Sequence, residues 1–472
     1  MRKNITAVVI SVILIFSLII PVNAEMNIDA FTFINQMSFY IEQNYKFGVT
    51  SVQLKNAAMQ YMLSTGDTDT DNVLRAMMDI LDEHSIYMTE KEYENFTNSV
   101  NATLCGIGVT VVINKAGAMV VEIHRFSPAE KAGIKKYDII TSVNGENIAG
   151  CELAKATELM KGEAGTTVNI GIKHLGSEET VYYDIVRGNV EVSPVTWKKL
   201  SEDTAYISIS SLTLNADLYV KDALKEIDKL GIKKIVLDLR DNPGGHITST
   251  VNICEMFMPE GPVAYIDYKN PEKMETYYSE NKNPKYSLAV LINGNTASGA
   301  ELLSGGIQDT KVGVIFGESS YGKGTAQNTV GLINGGAVKL TVAKYYTAGK
   351  QDVAKNKINP DFEVKNSYKQ VNEEKFEPLD FDSEYIVGSE GKGVLAIEQR
   401  LEVLGYMDEA DEVFTEETME AVQEYKAYNG MLPLAVVDFD FIAYLNNVEY
   451  NKMYIEVDKQ LEAATKYLEE LD

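Results

Sequence analysis

The stretch GNTASGAELLSGGIQDTKVGVIFGESSYGKGTAQ, residues 294–327, decides how this chain is read. It follows the apolar run SLAVLIN (287–293), so a buried strand enters a tight Asn/Gly turn and leaves as a helix with Ser298 in its first turn. A helix N-terminus offers free N–H groups and the positive end of the helix dipole. Both suit the anion that forms when a hydroxyl attacks a carbonyl. The plainer reading of Ser298 is a helix cap. Further along the same stretch Lys323 stands between Gly322 and Gly324, whose missing side chains let another backbone or a substrate approach closely. A lysine that accepts a proton must be neutral. Its ordinary pKa of ~10.4 would then have to fall by about three units, worth ~4 kcal/mol of desolvation, which an apolar pocket can supply. A base of that kind removes the need for histidine.

Upstream, KKIVLDLRDNPGGHI (233–247) reads as a buried strand ending in a glycine loop. Gly244 and Gly245 can present bare backbone N–H groups and, with the N–H of Gly299, form an oxyanion hole. An ordinary strand-to-helix turn would also use Asn242-Pro243-Gly244. His246, directly after the glycine pair, is the rival base.

The pattern around these segments is layered. Apolar strands TAYISI, KKIVLDL, SLAVLIN, KVGVIFG and AVKLTVAKYY alternate with helix-like segments at 215–230, 247–258 and 298–308, which predicts an α/β architecture over 195–365. Residues 104–190 instead carry the short alternating runs GVTVVI, AMVVEI, DIITSVNG, TVNIGI and VYYDIV with one helix near ELAKATELMKG, a small β-rich module. Residues 28–96 have helical spacing, 366–388 form a charged, poorly patterned linker, and 390–447 are helical and compact. The chain closes on the amphipathic DKQLEAATKYLEEL.

Composition narrows the function classes. Residues 1–24 have a basic start at Arg2 and Lys3, an apolar run and a small-residue Val22-Asn23-Ala24 site, the parts of a cleaved export signal; a retained anchor is the alternative. With 43 basic and 69 acidic residues the net charge is −26, which argues against nucleic acid as a partner. Cys105, Cys151 and Cys254 form no disulfide framework, and His84, His124, His174 and His246 belong to no ligand motif, so neither metal nor cofactor is expected.

DLRDNPGG (238–245), TASGAE (296–301) and YGKGTAQ (321–327), in that order, resemble the C-terminal processing peptidases, or tail-specific proteases, exported serine endopeptidases working by a Ser–Lys dyad. LDEHSIYMTEKEYENF (81–96) resembles the family's segment before its PDZ domain, and INPDFEV (358–364) its signature after the catalytic core. The resemblance implies a crotonase-like α/β protease core with Ser298 as nucleophile, Lys323 as general base and Gln327, one helical turn beyond, orienting the lysine. Asp309, where some members carry an acidic residue, is read as structural.

CGIGVTVV (105–112) and SPAEKAGIKKYDIITSVNGENI (127–148) resemble a bacterial PDZ domain, with Gly106, Ile107 and Gly108 as the loop that holds a substrate's C-terminal carboxylate. The alternative is a PDZ scaffold that only supports the site. Tyr137 stands where relatives commonly have Gly, which questions the local turn, and Gly299 stands where Ala is frequent. GVLAIEQRLEVLGYMDEADEVFTEETMEAVQEYKAYNGM (393–431) resembles a peptidoglycan-binding module, although LPLAVVDFDFIAYL (432–445) follows its pattern poorly; an acidic spacer is the alternative. If the final helix is the family's own, this module is an insertion in the protease framework.

The expected organisation is a signal peptide (1–24), a helical segment (25–100), a PDZ domain (101–190), the protease core (191–368), a linker (369–389), the peptidoglycan-binding-like all-α module (390–447) and a C-terminal helix (448–472). Expected partners are protein or peptide substrates with free C-termini and peptidoglycan, with a homo-oligomer left open. The competing function is a catalytically inert, peptide-binding and wall-tethering envelope protein.

Overall fold

The computed structural model describes residues 30–471 except 101, 102, 126, 178, 382, 384 and 435. The export-signal segment lies outside the described residues.

The chain divides into two compact units at residue 83. In the first, helices Ala30–Asn44, Ser51–Thr65 and Thr70–Met78 are held by local chemistry. Thr50 and Gln53 close the second helix's N-terminus, Gly66 in the left-handed conformation ends it, and Asp69 accepts the N–H groups of Asp71 and Asn72 to start the third.

In the second unit, the expected helical lead-in is interrupted. Ile86–Met88 is a strand that pairs antiparallel with Ala337–Lys339, and helix Glu90–Val100 follows it. The strand is too short for periodicity to reveal, and it forms because a long partner strand offers an edge.

The β-rich module is an antiparallel sheet in the order Val109–Asn114, Gly117–Ile123, Ile139–Val143, Thr167–Lys173, Thr180–Val186. Val111, Val120, Ile140, Ile170 and Ile172 share one apolar core. Val109–Asn114 is the edge strand, and helix Leu153–Met160 packs beside it.

The α/β layer follows the alternation read from the sequence. Strands Val195–Lys199, Thr204–Ile209, Lys234–Asp238, Ser287–Ile292, Gly313–Gly317 and Phe362–Glu363 lie side by side in chain order, the first pair antiparallel and the rest parallel. Ile235, Leu237, Leu288, Val290 and Ile292 share a core with helices Ala216–Lys229, Ile247–Phe257 and Gly299–Thr310. Val236, Ala289, Leu291 and Phe316 pack on the opposite face against Ala464 and Leu468 of helix Lys459–Glu469. Burial of both faces explains why these strands are continuous apolar runs rather than alternating ones.

A second sheet is built around Ala337–Thr347, which pairs with Thr325–Gly331, Gly261–Tyr268 and Ile86–Met88; Glu275–Ser279 pairs with Gly261–Tyr268. The segment expected to be a linker contains strand Ser367–Gln370, which pairs antiparallel with Tyr454–Val457. Between these strands lie helices Lys392–Val403, Glu416–Tyr428 and Phe439–Asn446, with Ile397, Leu401, Phe414, Val422, Tyr425, Phe441 and Leu445 as their core. The poorly matching LPLAVVDFDFIAYL thus supplies core residues, and the helical module is inserted between two strands of one hairpin-like neck.

Tyr137 keeps the turn that glycine would make. Its φ is 72°, left-handed backbone that costs a non-glycine residue roughly 1–2 kcal/mol. The ring is buried with Met119, Val121 and Ile139 against Ala427 of helix Glu416–Tyr428, and Lys136 reaches Glu424 Oε1 at 2.9 Å. Burying such a ring is worth ~1.5–3 kcal/mol, enough to offset the strain. The half-exposed ion pair adds little. Tyr137→Gly should therefore relieve the backbone yet loosen the helical module from the β-rich one. Hydrogen exchange should rise in 416–428, and unchanged protection there would contradict this packing.

Candidate functional site

Three neighbouring parallel strands deliver the candidate residues. The loop after Lys234–Asp238 carries the glycine pair, the loop after Ser287–Ile292 carries Ser298, and the loop after Gly313–Gly317 carries Lys323. The carboxyl ends of adjacent parallel strands are where open α/β sheets form their clefts.

Ser298 precedes helix Gly299–Thr310 with φ 55° and ψ −120°. A non-glycine residue in that region stores ~1–3 kcal/mol and persists only when its surroundings enforce it. Strained strand-to-helix turns of this kind expose a nucleophile above a sheet. Here the enforcing group is Glu301, which is fully buried. Its Oε2 accepts the N–H groups of Ser298 at 2.8 Å and Lys323 at 2.9 Å. Its Oε1 accepts the Ser320 hydroxyl at 2.5 Å and the Gly322 N–H at 2.6 Å. These partners all donate, so the group they suit is the ionised, acceptor-only carboxylate. Burial nevertheless pushes its pKa up, with the four donors opposing that shift. The lysine loop is tied to the serine loop once more, by the Tyr321 N–H on Thr296 O at 2.9 Å.

Lys323 itself is half-buried rather than sealed in an apolar pocket. The flanking glycines do permit close approach, but of the chain's own backbone: a Cβ at Gly324 would lie 2.7 Å from Ala354 N. Gln327 lies on strand Thr325–Gly331, not one helical turn beyond the lysine. The run TAQNTVG pairs along Ala337–Thr347, and a register shift at Ala326/Gln327 re-aims the side chain. Its amide nitrogen donates to Thr325 Oγ1 at 3.0 Å and Thr341 Oγ1 at 3.1 Å.

The glycine loop is laced to the serine loop. Ala297 N–H reaches Asn242 O at 2.9 Å, Thr296 Oγ1 reaches Leu239 O at 2.8 Å, and Asn295 Nδ2 reaches Asp241 Oδ1 at 2.8 Å. Gly244, at φ 89°, has no room for a side chain, since its Cβ would stand 2.7 Å from Gly299 N. Its own N–H is taken by Asn242 Oδ1 at 2.8 Å. That bond withdraws Gly244 from the expected donor set in this state. No described hydrogen bond engages the N–H of Gly245 or Gly299. A side chain at Gly299 would meet Thr250 Oγ1 at 2.6 Å, so the position has room for glycine alone unless Thr250 shifts.

His246 Nε2 is buried without a partner among the described residues, and desolvation lowers the ring's pKa. No described hydrogen bond joins the ring to Ser298. Asp309 accepts Gly349 N–H at 2.7 Å. Among the described residues no cluster could hold a metal ion.

Two residues escaped the sequence reading. Glu301 is one, although Ser-x-x-Glu at a helix start is visible as a capping pattern. Tyr345 is the other: its backbone N–H reaches Gly324 O at 3.2 Å, and its sealed hydroxyl lies beside Ser298 and Glu301 without an aligned bond to either. Burial, with the Glu301 charge, holds this phenol well above its usual pKa.

In the β-rich module Gly106, Ile107 and Gly108 form the turn into the edge strand. The carbonyls of Ile107 and Gly108 accept from the N–H groups of Ala129 and His124, and no described hydrogen bond engages the N–H groups of Ile107 and Gly108. Such a loop beside an open edge and a flanking helix can hold a carboxylate and add a peptide strand.

Residues 203–364 match the family model of peptidase family S41, residues 105–185 that of the PDZ domain, and residues 390–445 that of a putative peptidoglycan binding domain. The carboxy-terminal processing protease CtpA of Bacillus subtilis is 28% identical over 410 residues, covering 86% of this chain and 87% of that protein. CtpB of the same organism is 28% identical over 434 residues, covering 91% and 87%. Among solved structures, the photosystem II D1 C-terminal processing protease aligns at 25% identity and a TM-score of 0.46, over 71% of this chain and 93% of that one. With a PDZ domain, a peptidase S41 core and a peptidoglycan-binding domain in that order, this chain is a serine-type peptidase homologous to the carboxy-terminal processing proteases.

Proposed function

We propose that this chain is an exported endopeptidase that captures protein C-termini on its PDZ domain and hydrolyses peptide bonds with Ser298 and Lys323. The observation that carries the reading is the single Glu301 carboxylate bound by the backbone N–H groups of both residues. Ser298 Oγ attacks the scissile carbonyl while the neutral Lys323 amine takes its proton. The oxyanion is stabilised by the N–H groups of Gly245 and Gly299, beside the helix N-terminus. The intermediate collapses, the C–N bond breaks, and the Lys323 ammonium gives its proton to the departing amine. Water then attacks the acyl-enzyme, Lys323 again accepts a proton, and Ser298 recovers its own.

Since Lys323 is half-buried, a peptide lying across it would supply the remaining desolvation and lower the amine's pKa. Gln327, fixed by two threonine hydroxyls, supports that strand's geometry next to the lysine loop. The Ile107 and Gly108 N–H groups would take the substrate carboxylate, and the helical module would bind peptidoglycan. Export rests on the N-terminal signal pattern. No described helix is long and apolar enough to cross a membrane.

Ser298→Ala and Lys323→Met should each lower cleavage of an unstructured peptide by roughly three orders of magnitude or more. Rates equal to wild type would leave an inert binding protein. Amidating the peptide's C-terminus should raise KM, and an unchanged KM would remove tail capture by the PDZ domain. Glu301→Gln keeps the shape but sets an NH2 group against N–H donors. Leaving such groups unsatisfied costs ~1–3 kcal/mol, so kcat should drop about tenfold or more with KM nearly constant, as steady-state kinetics would report.

A further inference from the structure

The glycine loop is gripped from beneath by residues that come from beyond the inserted helical module. Arg240, in the turn between strand Lys234–Asp238 and Gly244, is held on both sides. Its Nε donates to Asp238 Oδ1 at 3.0 Å and Oδ2 at 2.9 Å, its Nη1 to Asp458 Oδ1 at 2.8 Å, and its Nη2 to Asp458 Oδ2 at 2.7 Å and Asp238 Oδ2 at 2.5 Å. Tyr206 steadies Asp238 at 2.7 Å. The Arg240 side chain is 15% exposed, so the paired forks lie in an environment where they are strong and specific. Burial pushes the Asp458 carboxyl up, and the bonds to Arg240 and the Leu461 N–H, with the arginine's charge, more than reverse it and hold the group below the usual carboxylate range.

Asp458 directly follows strand Tyr454–Val457, the exit strand of the module's neck, and caps helix Lys459–Glu469 through Leu461 N–H. Two residues on, Gln460 accepts Arg240 Nη1 at 3.2 Å and donates to Val364 O at 2.9 Å, while its N–H reaches Asn366 on the entry side of the neck. Entry chain, exit chain and the glycine loop's arginine therefore meet in one clasp. Beyond Arg240 the chain turns through Asp241, at φ 59°, whose N–H donates to Asn293 Oδ1 and whose carboxylate accepts the side-chain amides of Asn293 and Asn295.

We infer that Asp458 is a positioning residue of the peptidase, which through Arg240 fixes the loop presenting the Gly245 N–H toward Ser298. It touches no substrate; it acts by removing the arginine's freedom to swing and carry the strained turn with it. The module's insertion point makes the wall-binding part of the chain contiguous with a support of the catalytic loop. This rests on the peptidase reading.

The test uses the full chain. Asp458→Asn is nearly isosteric and retains one acceptor for the helix cap, but loses the charged fork. It should lower kcat by about tenfold, short of the 10²–10³ for losing an oxyanion donor itself, with KM unchanged. Asp458→Glu should recover part of the loss. Leu468→Ala, which loosens the same helix on the sheet, should lower the melting temperature without that kcat loss. Hydrogen exchange in 239–246 should rise in Asp458→Asn and not in Leu468→Ala. Unchanged exchange, or a kcat loss shared equally by Leu468→Ala, would overturn the inference. An inactive wild type would count against the peptidase reading alone, because the exchange experiment decides the positioning role without turnover.

Discussion

A buried carboxylate holds the site together. Removing Glu301 from water costs several kcal/mol, and the cost is recovered only if the four donors around it stay in place. Those donors belong to the serine turn and to the lysine loop, segments joined by a helix and a strand. Neither loop can drift without stranding a charge inside the protein. The strained backbone at Ser298 is sustainable for the same reason, since its N–H is one of the four.

The sheet supplies the coarse placement that this interaction refines. Strands Lys234–Asp238, Ser287–Ile292 and Gly313–Gly317 are adjacent and parallel, so their carboxyl ends bring three loops to one rim. Each loop is then stitched to its neighbour by hydrogen bonds: the Thr296 hydroxyl to Leu239 O, the Asn295 amide to the Asp241 carboxylate, and the Tyr321 N–H to Thr296 O. Helix Lys459–Glu469 seals the sheet's other face, and its first residues reach the rim through Arg240. The peptidase core is therefore completed by chain that follows the inserted module.

Much of this was legible in the sequence where local physics decides. Continuous apolar runs announced doubly buried strands, alternation announced the PDZ sheet, and Asn/Gly turns marked the loops that carry Ser298 and the glycine pair. What was missed depends on distant partners. Gln327 was given helical spacing because it stands four positions beyond Lys323, yet the long strand Ala337–Thr347 captures its segment. Glu301 carries a capping-box signature, and nothing local reveals that its carboxylate also binds a loop on the far side of a strand. Asp458 is 218 residues from Arg240, beyond any reach of pattern. Tyr137 was flagged as a misfit in a glycine turn, and its reason proved to be a contact with Ala427 in another domain. Lys323 was expected to be sheltered, and its partial exposure follows from its place in the loop beyond strand Gly313–Gly317, at the rim of the sheet.

The central claim is that Lys323 acts as an uncharged base toward Ser298. The most direct measurement follows the protonation of the Lys323 amine by nitrogen NMR as the pH is raised in the peptide-bound enzyme. Loss of the proton over the range in which kcat rises is the predicted result, and an amine that stays charged throughout the active range would contradict it.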